Sequence, residues 1–407
     1  MKLSTIALRN VGRNKRRSVL SGIAIGVAAM AIVILFSLIN GMQADLANNL
    51  QDFYSGMIRV RHAEYDQNEI LSPLHLRVQD AGERAAELES MDGVTAISPR
   101  INFPASIYQD GETSNAQGIG VDMSREVQYS RLNDYLVEGA MPGDNTRGML
   151  LGTTLADRLG VSVGDTLTIL TTTMTRGSNA ITFTVAGTLQ FPVQGLNAQA
   201  LMIPLPAARD LVKMDDAVTE ILIKLEDESQ AAAVAREIES RWDSHDLRIA
   251  TWREIPTSYS FIEFARNIYN GMAAFFFLLG STVIITTTMI VIFERMREIG
   301  TIAAMGMTGS EIVRLFFLES FFIALIAAGI GVVAGTGISL VLGEVGIDMR
   351  EAVQGMDIEF GGQVYPRWRL GTTVFVYIYS IAVTGLAAFF PTRRAAKIEP
   401  VEALHTV

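Results

Sequence analysis

The chain has 407 residues, of which 49% are hydrophobic and only 19% are charged, below the roughly 25% usual for soluble domains. Cysteine is absent, so disulfide bonds and thiolate–metal sites are excluded. The net charge is −10, but the acidic excess belongs mostly to the central block, so it does not indicate nucleic-acid binding.

Four apolar runs are long enough to cross a bilayer, which takes roughly 20 helical residues. They predict transmembrane helices at 18–41, 269–293, 313–343 and 371–390. The alternative, buried helices of a large soluble core, does not account for four such runs. The first run follows a basic start, but it exceeds the roughly 7–15 apolar residues of a signal peptide. We therefore predict an uncleaved anchor.

Lysine and arginine cluster at three places that a four-span chain brings to one side of the membrane. These are residues 1–17, the loop after the second span and the tail 391–407. By the positive-inside rule that side is the cytoplasm, and the block 42–268 and the loop 344–370 lie outside. Residues 1–17 are predicted either as an amphipathic helix in the inner interface or as a merely basic flank.

The exported block 42–268 repeats one order of elements. A β-α-β pattern over 42–114 returns over 206–257, and residues 115–205 between them have the alternation and turns of a β-rich insertion. This predicts one α+β lobe built from both ends of the block. Helical residues 258–268 are predicted as a stalk that continues into the second span, so that lobe and span move together.

Small residues recur four apart in two of the predicted spans. Gly22 and Gly26 in the first, and Gly331 and Gly335 in the third, have the spacing that lets helices approach closely. Two alternatives stay open for Gly22 and Gly26, namely contact with a second subunit or close packing within one chain. Glu319, at the start of the third span, is predicted to make a structural contact rather than to relay protons.

The motifs of common catalytic sites are missing from the sequence. It contains no G-x-x-x-x-G-K-[ST] loop for nucleotide phosphates and no G-x-S-x-G nucleophile. The four histidines are scattered without metal-ligand spacing and are predicted to be surface residues. The chain is therefore predicted not to be an enzyme by itself and to hold no cofactor or metal.

A charged segment, "ERMREIGTIAAMGMTGSEIV", separates the second and third spans. It predicts a helix end, a short amphipathic element and a new helix, capped by Thr308 or Ser310 with Glu311 in its first turn. We predict that the apolar face of this element docks in a groove on a cytoplasmic partner, because a solvated loop needs fewer apolar residues. The face would consist of Ile299, Ile302, Ala303 and Met305.

The same segment resembles the E-R-x-R-E-I-G stretch of FtsX/MacB-type ABC transporter permeases, and the tail "FPTRRAAKIEPVEAL" is similar to their C-terminal motif. "ALRNVGRNKRRSVLSGIAIGVAAMA" and "GTTLADRLGVSVGDTLTI" match the same family, so the resemblance spans essentially the whole chain. It implies an α-helical membrane protein with four transmembrane helices. A large α+β, MacB-like periplasmic domain would lie between the first and second spans. It also implies a cytoplasmic ABC ATPase dimer, which binds the ATP and Mg²⁺.

By this resemblance, residues 294–312 contain the cytoplasmic coupling helix, which contacts the ATPase. Closure of the ATPase would press on this helix, tilt the second span and move the periplasmic lobe, a mechanism called mechanotransmission. The predicted contact residues are Glu294, Arg295, Arg297, Glu298, Ile299, Gly300, Ala304, Met305 and Gly306.

Residues 37–50, "SLINGMQADLANNL", are similar to a stretch of the lipoprotein-releasing (Lol-type) permeases. This implies extraction of lipoproteins from the outer leaflet of the bacterial inner membrane, together with a second permease copy or paralogue. A periplasmic carrier would receive the lipoprotein at the position of the family's protruding hook. The predicted carrier contact is Thr173, Met174, Thr175, Arg176 and Gly177. The predicted acyl-chain surface is Leu35, Ile39, Met42, Leu46, Met272, Phe275 and Phe276.

Three other functions remain open at the level of the sequence. A MacB-type exporter subunit has the same periplasmic plan. An ABC-coupled signalling scaffold would activate a periplasmic partner and would need no apolar surface for substrate. A receptor or anchor without an ATPase would form no complex through the coupling helix.

Overall fold

The computed structural model describes residues 3–13, 15–109, 111–242, 245–348 and 363–395. They form two compact units. The sheet unit consists of Leu46–Glu263, and the helical unit contains the described chain before and after it. Part of the predicted loop 344–370 and most of the predicted tail 391–407, with its family motif, lie outside the described residues.

Helices and strands follow one another in the described chain. The helices are α1 (Leu3–Arg13), α2 (Lys15–Leu50), α3 (Ala81–Glu89), α4 (Met123–Ser130), α5 (Thr153–Leu159), α6 (Gln194–Gln199), α7 (Leu205–Val212), α8 (Ala231–Trp242), α9 (Pro256–Phe293), α10 (Met296–Ala304), α11 (Gly309–Val345) and α12 (Leu370–Ala395). The strands are β1 (Ile58–His62), β2 (Val78–Gln79), β3 (Val94–Gln109), β4 (Glu112–Val121), β5 (Leu136–Gly139), β6 (Gly148–Gly152), β7 (Thr166–Thr172), β8 (Ser178–Leu189), β9 (Ala200–Pro204), β10 (Ala217–Val218), β11 (Glu220–Leu225), β12 (Leu247–Thr251), β13 (Ile347–Asp348) and β14 (Gln363–Val364).

Four helices of the described chain are long and apolar enough to cross a membrane, which confirms the four predicted spans. The spanning stretches are Ser18–Ser55, Ser258–Phe293, Gly309–Val345 and Leu370–Arg394. α9 is continuous from Pro256, so the segment predicted as a stalk and the second span form a single helix. α11 begins with the predicted cap, because Thr308 Oγ1 donates a hydrogen bond of 2.7 Å to Glu311 Oε2.

The glycines of the first and third spans pack against each other within the chain. A methyl group at Gly331 would overlap the carbonyl oxygen of Gly26, and one at Gly335 would lie 2.9 Å from the carbonyl oxygen of Met30. Backbones approach this closely only where side chains are absent. Of the two alternatives left by the sequence, the structure therefore supports close packing within one chain.

The sheet unit is built on a mixed sheet of ten described strands, in the order β12-β1-β11-β3-β4-β9-β6-β8-β5, with β7 pairing with both β3 and β8. β1 lies antiparallel between β11 and β12, and Val60 is opposite both Ile221 and Ile249. The strands of the two predicted β-α-β patterns are thus interleaved. β4, from the predicted insertion, pairs with β3 over ten residue pairs and extends the same sheet.

Alternate residues of the central strands supply two hydrophobic cores on opposite faces of the sheet. On the paired strands β6 and β9, Leu151 and Leu201 belong to one core, whereas Leu150 and Met202 belong to the other. The first core also contains apolar residues of α3, α7 and α8, and the second contains those of α4 and α6. Both faces of the sheet are therefore covered by helices.

Candidate functional site

The segment predicted to contact an ATPase forms a short helix between two spanning helices. α9 ends at Phe293, α10 covers Met296–Ala304, and α11 starts at Gly309. The chain leaves α10 through Gly306, whose φ of 95° lies in the left-handed region that favours glycine. This glycine permits the tight turn between α10 and α11.

The nine predicted coupling residues divide between an outer and an inner face. The exposed ones are Glu294, Arg297, Ala304, Met305 and Gly306, and Glu298 is partly exposed. Three of the nine, Arg295, Ile299 and Gly300, are buried. These three residues are not part of an open contact surface, because they face the packed interior of their own chain.

The apolar face of α10 packs mainly against its own chain, contrary to the prediction that it lies open to a partner. The buried cluster consists of Ile292, Ile299, Ile312, Phe316 and Ala388. Ile302 and Ala303 pack against this cluster, whereas Met305 is 75% exposed. The exposed surface of the coupling segment is therefore small, and its most prominent side chains are those of Arg297 on α10 and Met305 just after it.

A buried ion pair ties the start of the coupling segment to the third span. The Arg295 guanidinium pairs with the Glu319 carboxylate on α11, and their side chains are only 8% and 5% exposed. Arg295 Nε also donates to Glu298 Oε2 at 2.9 Å, and its guanidinium lies 4.6 Å from the centre of the Phe316 ring. Glu319 thus makes a structural contact, as predicted, and its partner is Arg295.

The predicted acyl-chain surface is only partly open. On α9, Met272 and Phe275 are 39% and 58% exposed, whereas Ile39 on α2 is 4% exposed and belongs to the packed interior. The partly buried residues are Leu35, Met42 and Phe276. Leu46 belongs to the sheet unit and lines a cleft there. In this structure the open part of the predicted surface is therefore Met272 and Phe275.

The predicted carrier contact is the turn between β7 and β8. Strand pairing continues up to the residues on either side of the turn. Thr173 is buried, and the backbone N–H of Met174 donates to the carbonyl of Val212 at the end of α7 at 2.9 Å. The exposed residues are Thr175, Arg176 and Gly177. The turn is therefore an anchored, compact corner rather than an extended hook.

A cleft of about 410 Å³ in the sheet unit was not predicted from the sequence. Its walls come from the end of α2, from β1, β4 and β11, from residues before and within α6, and from the start of α9. No local pattern reveals it, because these segments are far apart in the chain. Most of the wall is apolar, and the buried side chains of Arg59, Arg61 and Glu220 line its polar end.

The polar end of the cleft is a network of buried charges. Arg61 lies 2.7 Å from both Glu220 and Glu69, and Glu220 also accepts a hydrogen bond of 2.6 Å from Asn102. Burial alone would raise the pKa of Glu220, but the guanidinium groups of Arg61 and Arg59 outweigh it and hold that pKa below its usual range. Among the described residues, no group of three His, Cys, Asp or Glu could hold a metal ion.

Comparisons with known proteins cover nearly the whole chain. Residues 19–241 match the model of the MacB-like periplasmic core domain, and residues 270–400 match that of the FtsX-like permease C-terminal region. The lipoprotein-releasing system transmembrane protein LolC of Neisseria meningitidis serogroup B is 22% identical over 98% of each chain. The macrolide export ATP-binding/permease protein MacB of Vibrio parahaemolyticus is 22% identical over 98% of this chain and 59% of its own length.

A solved structure also resembles part of the chain. The periplasmic region of MacB from Actinobacillus actinomycetemcomitans aligns with 54% of this chain and 97% of its own, with a TM-score of 0.38 and 13% sequence identity.

Proposed function

This chain belongs to the ABC transporter permeases that have a MacB-like periplasmic core domain and an FtsX-like C-terminal region, and we propose that it extracts lipoproteins from the inner membrane. As a permease subunit it is non-catalytic, and its family implies a partner ATPase that binds ATP. It is a membrane protein of the inner membrane. The cargo, the partners beyond the ATPase and the mechanism below are proposals.

The match with LolC is the observation that supports lipoproteins as the proposed cargo. It extends over 98% of both chains, so this chain and a protein of a lipoprotein-releasing system share the same plan from end to end. The match with MacB covers all but a few residues of this chain but only 59% of that larger protein, whose name includes an ATP-binding part. The match with LolC is therefore the more complete of the two, since it extends over nearly all of both chains.

The open face of α10 is the proposed ATPase contact. Together with the residues on either side of the helix, it presents Glu294, Arg297, Ala304, Met305 and Gly306. Ala304 and Gly306 are small, so a partner surface can approach this face closely, and Arg297 adds a charge. The face therefore suits a shallow docking site on the ATPase. The positive-inside rule supports the same orientation, with both termini and α10 in the cytoplasm.

Force on α10 would reach the rest of the chain by two routes. The buried Arg295–Glu319 ion pair connects the start of α10 to α11. α9 immediately precedes α10 and is one uninterrupted helix back to Pro256. Because a helix transmits axial and tilting displacement over its whole length, movement at Phe293 would be passed to the start of α9. We propose this as the mechanotransmission pathway.

Exposed apolar residues on α9 form the proposed acyl-chain surface. Met272 and Phe275 are open, and Leu35, Met42 and Phe276 are partly buried. Extraction from the bilayer costs about 0.8 kcal/mol for each CH₂ group removed from lipid, so an apolar receiving surface is needed. A second permease copy or a paralogue would enclose this surface. The exposed corner Thr175–Gly177 would face the periplasmic carrier.

Photo-crosslinking tests the cargo. A photoreactive amino acid at Phe275, in cells that contain the ATPase, should trap lipoproteins when ATP hydrolysis is blocked and lose them when hydrolysis resumes. Ile290 is the matched control, because it is 53% exposed on the same helix but lies near the opposite end of the span. If only a neighbouring permease or a soluble periplasmic protein is trapped at Phe275, the extraction proposal fails, and a signalling scaffold or a MacB-type exporter is favoured.

A charge reversal tests the coupling face. Arg297→Glu should weaken the complex with the ATPase by about tenfold, since a like charge would face whatever acid Arg297 contacts. Arg158→Glu, an exposed arginine on α5 of the sheet unit, should leave the complex unchanged. Equal binding of the ATPase to the two variants and to the unaltered chain would exclude the open face of α10 as the contact.

A further inference from the structure

The cleft in the sheet unit has the properties of a ligand site. We propose that it binds an amphiphile with one long acyl chain and an anionic headgroup, with the acyl chain along the apolar wall and the headgroup at Arg59. The inference concerns the sheet unit alone and holds whether or not the chain extracts lipoproteins.

The cleft is large enough for a hydrocarbon chain. Leu50, Phe53, Ile119, Leu196 and Ile255 line it, and all five side chains are less than 9% exposed. A 150 Å³ apolar cavity holds benzene, so by proportion a cleft of about 410 Å³ holds roughly 16 carbon atoms. That is the size of one acyl chain, and it is too small for the two or three chains of a whole membrane lipid or lipoprotein anchor.

Aromatic packing supports one side of the apolar wall. The ring of Phe53 meets the rings of Phe191 and Tyr135 edge to face, with centroids 5.6 Å apart in both pairs. These three side chains support one another in the second core of the sheet unit. The wall is therefore backed by the side chains of the second core, against which an acyl chain can pack.

Arg59 is the group at the polar end that lacks a full set of partners. Its Nη2 donates to Asp66 Oδ1 at 2.9 Å. Its Nη1 lies 3.8 Å from Glu69 Oε1, too far for a hydrogen bond. Among the contacts of the described residues its Nε and Nη1 make no hydrogen bond, although its side chain is only 4% exposed. Because Arg59 lines the cleft, these donors are available to an acceptor bound there.

Arg61, the neighbouring arginine, has more close acidic partners than Arg59. Arg61 has three acids within 3.2 Å, namely Glu220, Glu69 and Asp66. Glu220 and Glu69 raise the pKa of Arg61 against its burial. Burial and the nearby Arg61 lower the pKa of Arg59 by more than Glu220, Asp66 and Glu69 raise it. The positive charge of Arg59 is thus the less compensated of the two. A carboxylate or phosphate group in the cleft would accept a charge-assisted hydrogen bond from Arg59.

A photoactivatable palmitate tests the site in the full chain, reconstituted in lipid nanodiscs. After irradiation, the label should map to peptides that contain Leu46–Phe53, Pro192–Leu196 or Ile255–Phe261. Arg59→Gln should weaken labelling there by about tenfold, the loss expected for one charge-assisted hydrogen bond. Val193→Trp should block labelling by filling the cleft from a partly exposed position. Arg158→Gln is the control, and the thermal unfolding of each variant shows that it is folded.

Competition identifies the headgroup. Unlabelled palmitate and 1-palmitoyl lysophosphatidate should both displace the probe, and the better competitor distinguishes a carboxylate from a phosphate. Hexadecanol, which has the chain but no anion, should compete about tenfold less well, and inorganic phosphate alone should not compete. Equal competition by hexadecanol and palmitate overturns the role of Arg59. Cleft labelling that Val193→Trp leaves unchanged, or labelling confined to the spanning helices, overturns the site itself.

Discussion

The buried Arg295–Glu319 ion pair should hold the coupling segment in place, and its removal gives a sharp prediction. Glu319→Gln keeps the shape of the side chain but leaves the Arg295 guanidinium, on a side chain 8% exposed, without its main counter-charge. Breaking a buried pair from one side typically costs about 3–5 kcal/mol. Arg295 retains the bond of 2.9 Å to Glu298, whose side chain is 44% exposed, so we expect about 3 kcal/mol, the lower end.

The double substitution separates pairing from packing. Arg295→Met with Glu319→Leu removes both charges and keeps apolar contact with Phe316, so the desolvation cost of the pair is also removed. We expect the double variant to lie within about 1 kcal/mol of the unaltered chain, while each single variant is destabilised by about 3 kcal/mol. The coupling energy between the two sites would then be several kcal/mol.

Equilibrium unfolding of the full chain in mixed micelles measures these free energies. Arg297→Met, on the exposed face of the same helix, is the matched control and should change the free energy of unfolding by less than about 0.5 kcal/mol. In a complex with the ATPase, the single variants should also uncouple ATP hydrolysis from lipoprotein release. Single variants that each cost less than about 1 kcal/mol and add without coupling would refute the ion pair as a structural tie.

Three further predictions concern other parts of the chain. Gly331→Ala should destabilise the helical unit by about 1–3 kcal/mol through overlap with the Gly26 carbonyl, whereas Gly337→Ala, with no atom within 4 Å of its added methyl, should be neutral in the same unfolding assay. Because the pKa of Glu220 is held below its usual 4.5, its ion pairs stabilise the sheet unit fully above pH 4.5, and this stability is lost as the pH falls through the lowered pKa. Glu220→Gln should flatten that acid dependence of Trp-monitored unfolding, and an unchanged profile would assign it to other carboxylates. Arg176→Glu should slow transfer of lipoprotein to a soluble carrier without changing crosslinking at Phe275, and a normal release rate would exclude the β7–β8 corner as the carrier contact.

The coupling segment shows which features could be predicted from the sequence and which could not. The charged stretch and a cap at Thr308 or Ser310 could be predicted from the sequence, because each depends on residues a few positions apart. Which side of α10 faces inward was not readable. Arg295 and Ile299 were predicted as partner contacts, and both are buried because α11 and α12 cover that side of the helix. A pattern of charges shows that a segment is amphipathic but not which neighbour its faces meet.

The sequence by itself determined the four spanning helices, the mixed α and β character of the block between the first two spans, and the family, since hydrophobic length, period and local motifs are properties of contiguous residues. Tertiary structure alone decided three things. It set Gly26 against Gly331 within one chain, interleaved the strands of the two β-α-β patterns, and assembled the Arg59 cleft from segments between Leu46 and Phe261. Each of these depends on contacts between residues far apart in the chain, whose choice of partner is made by packing and charge in three dimensions.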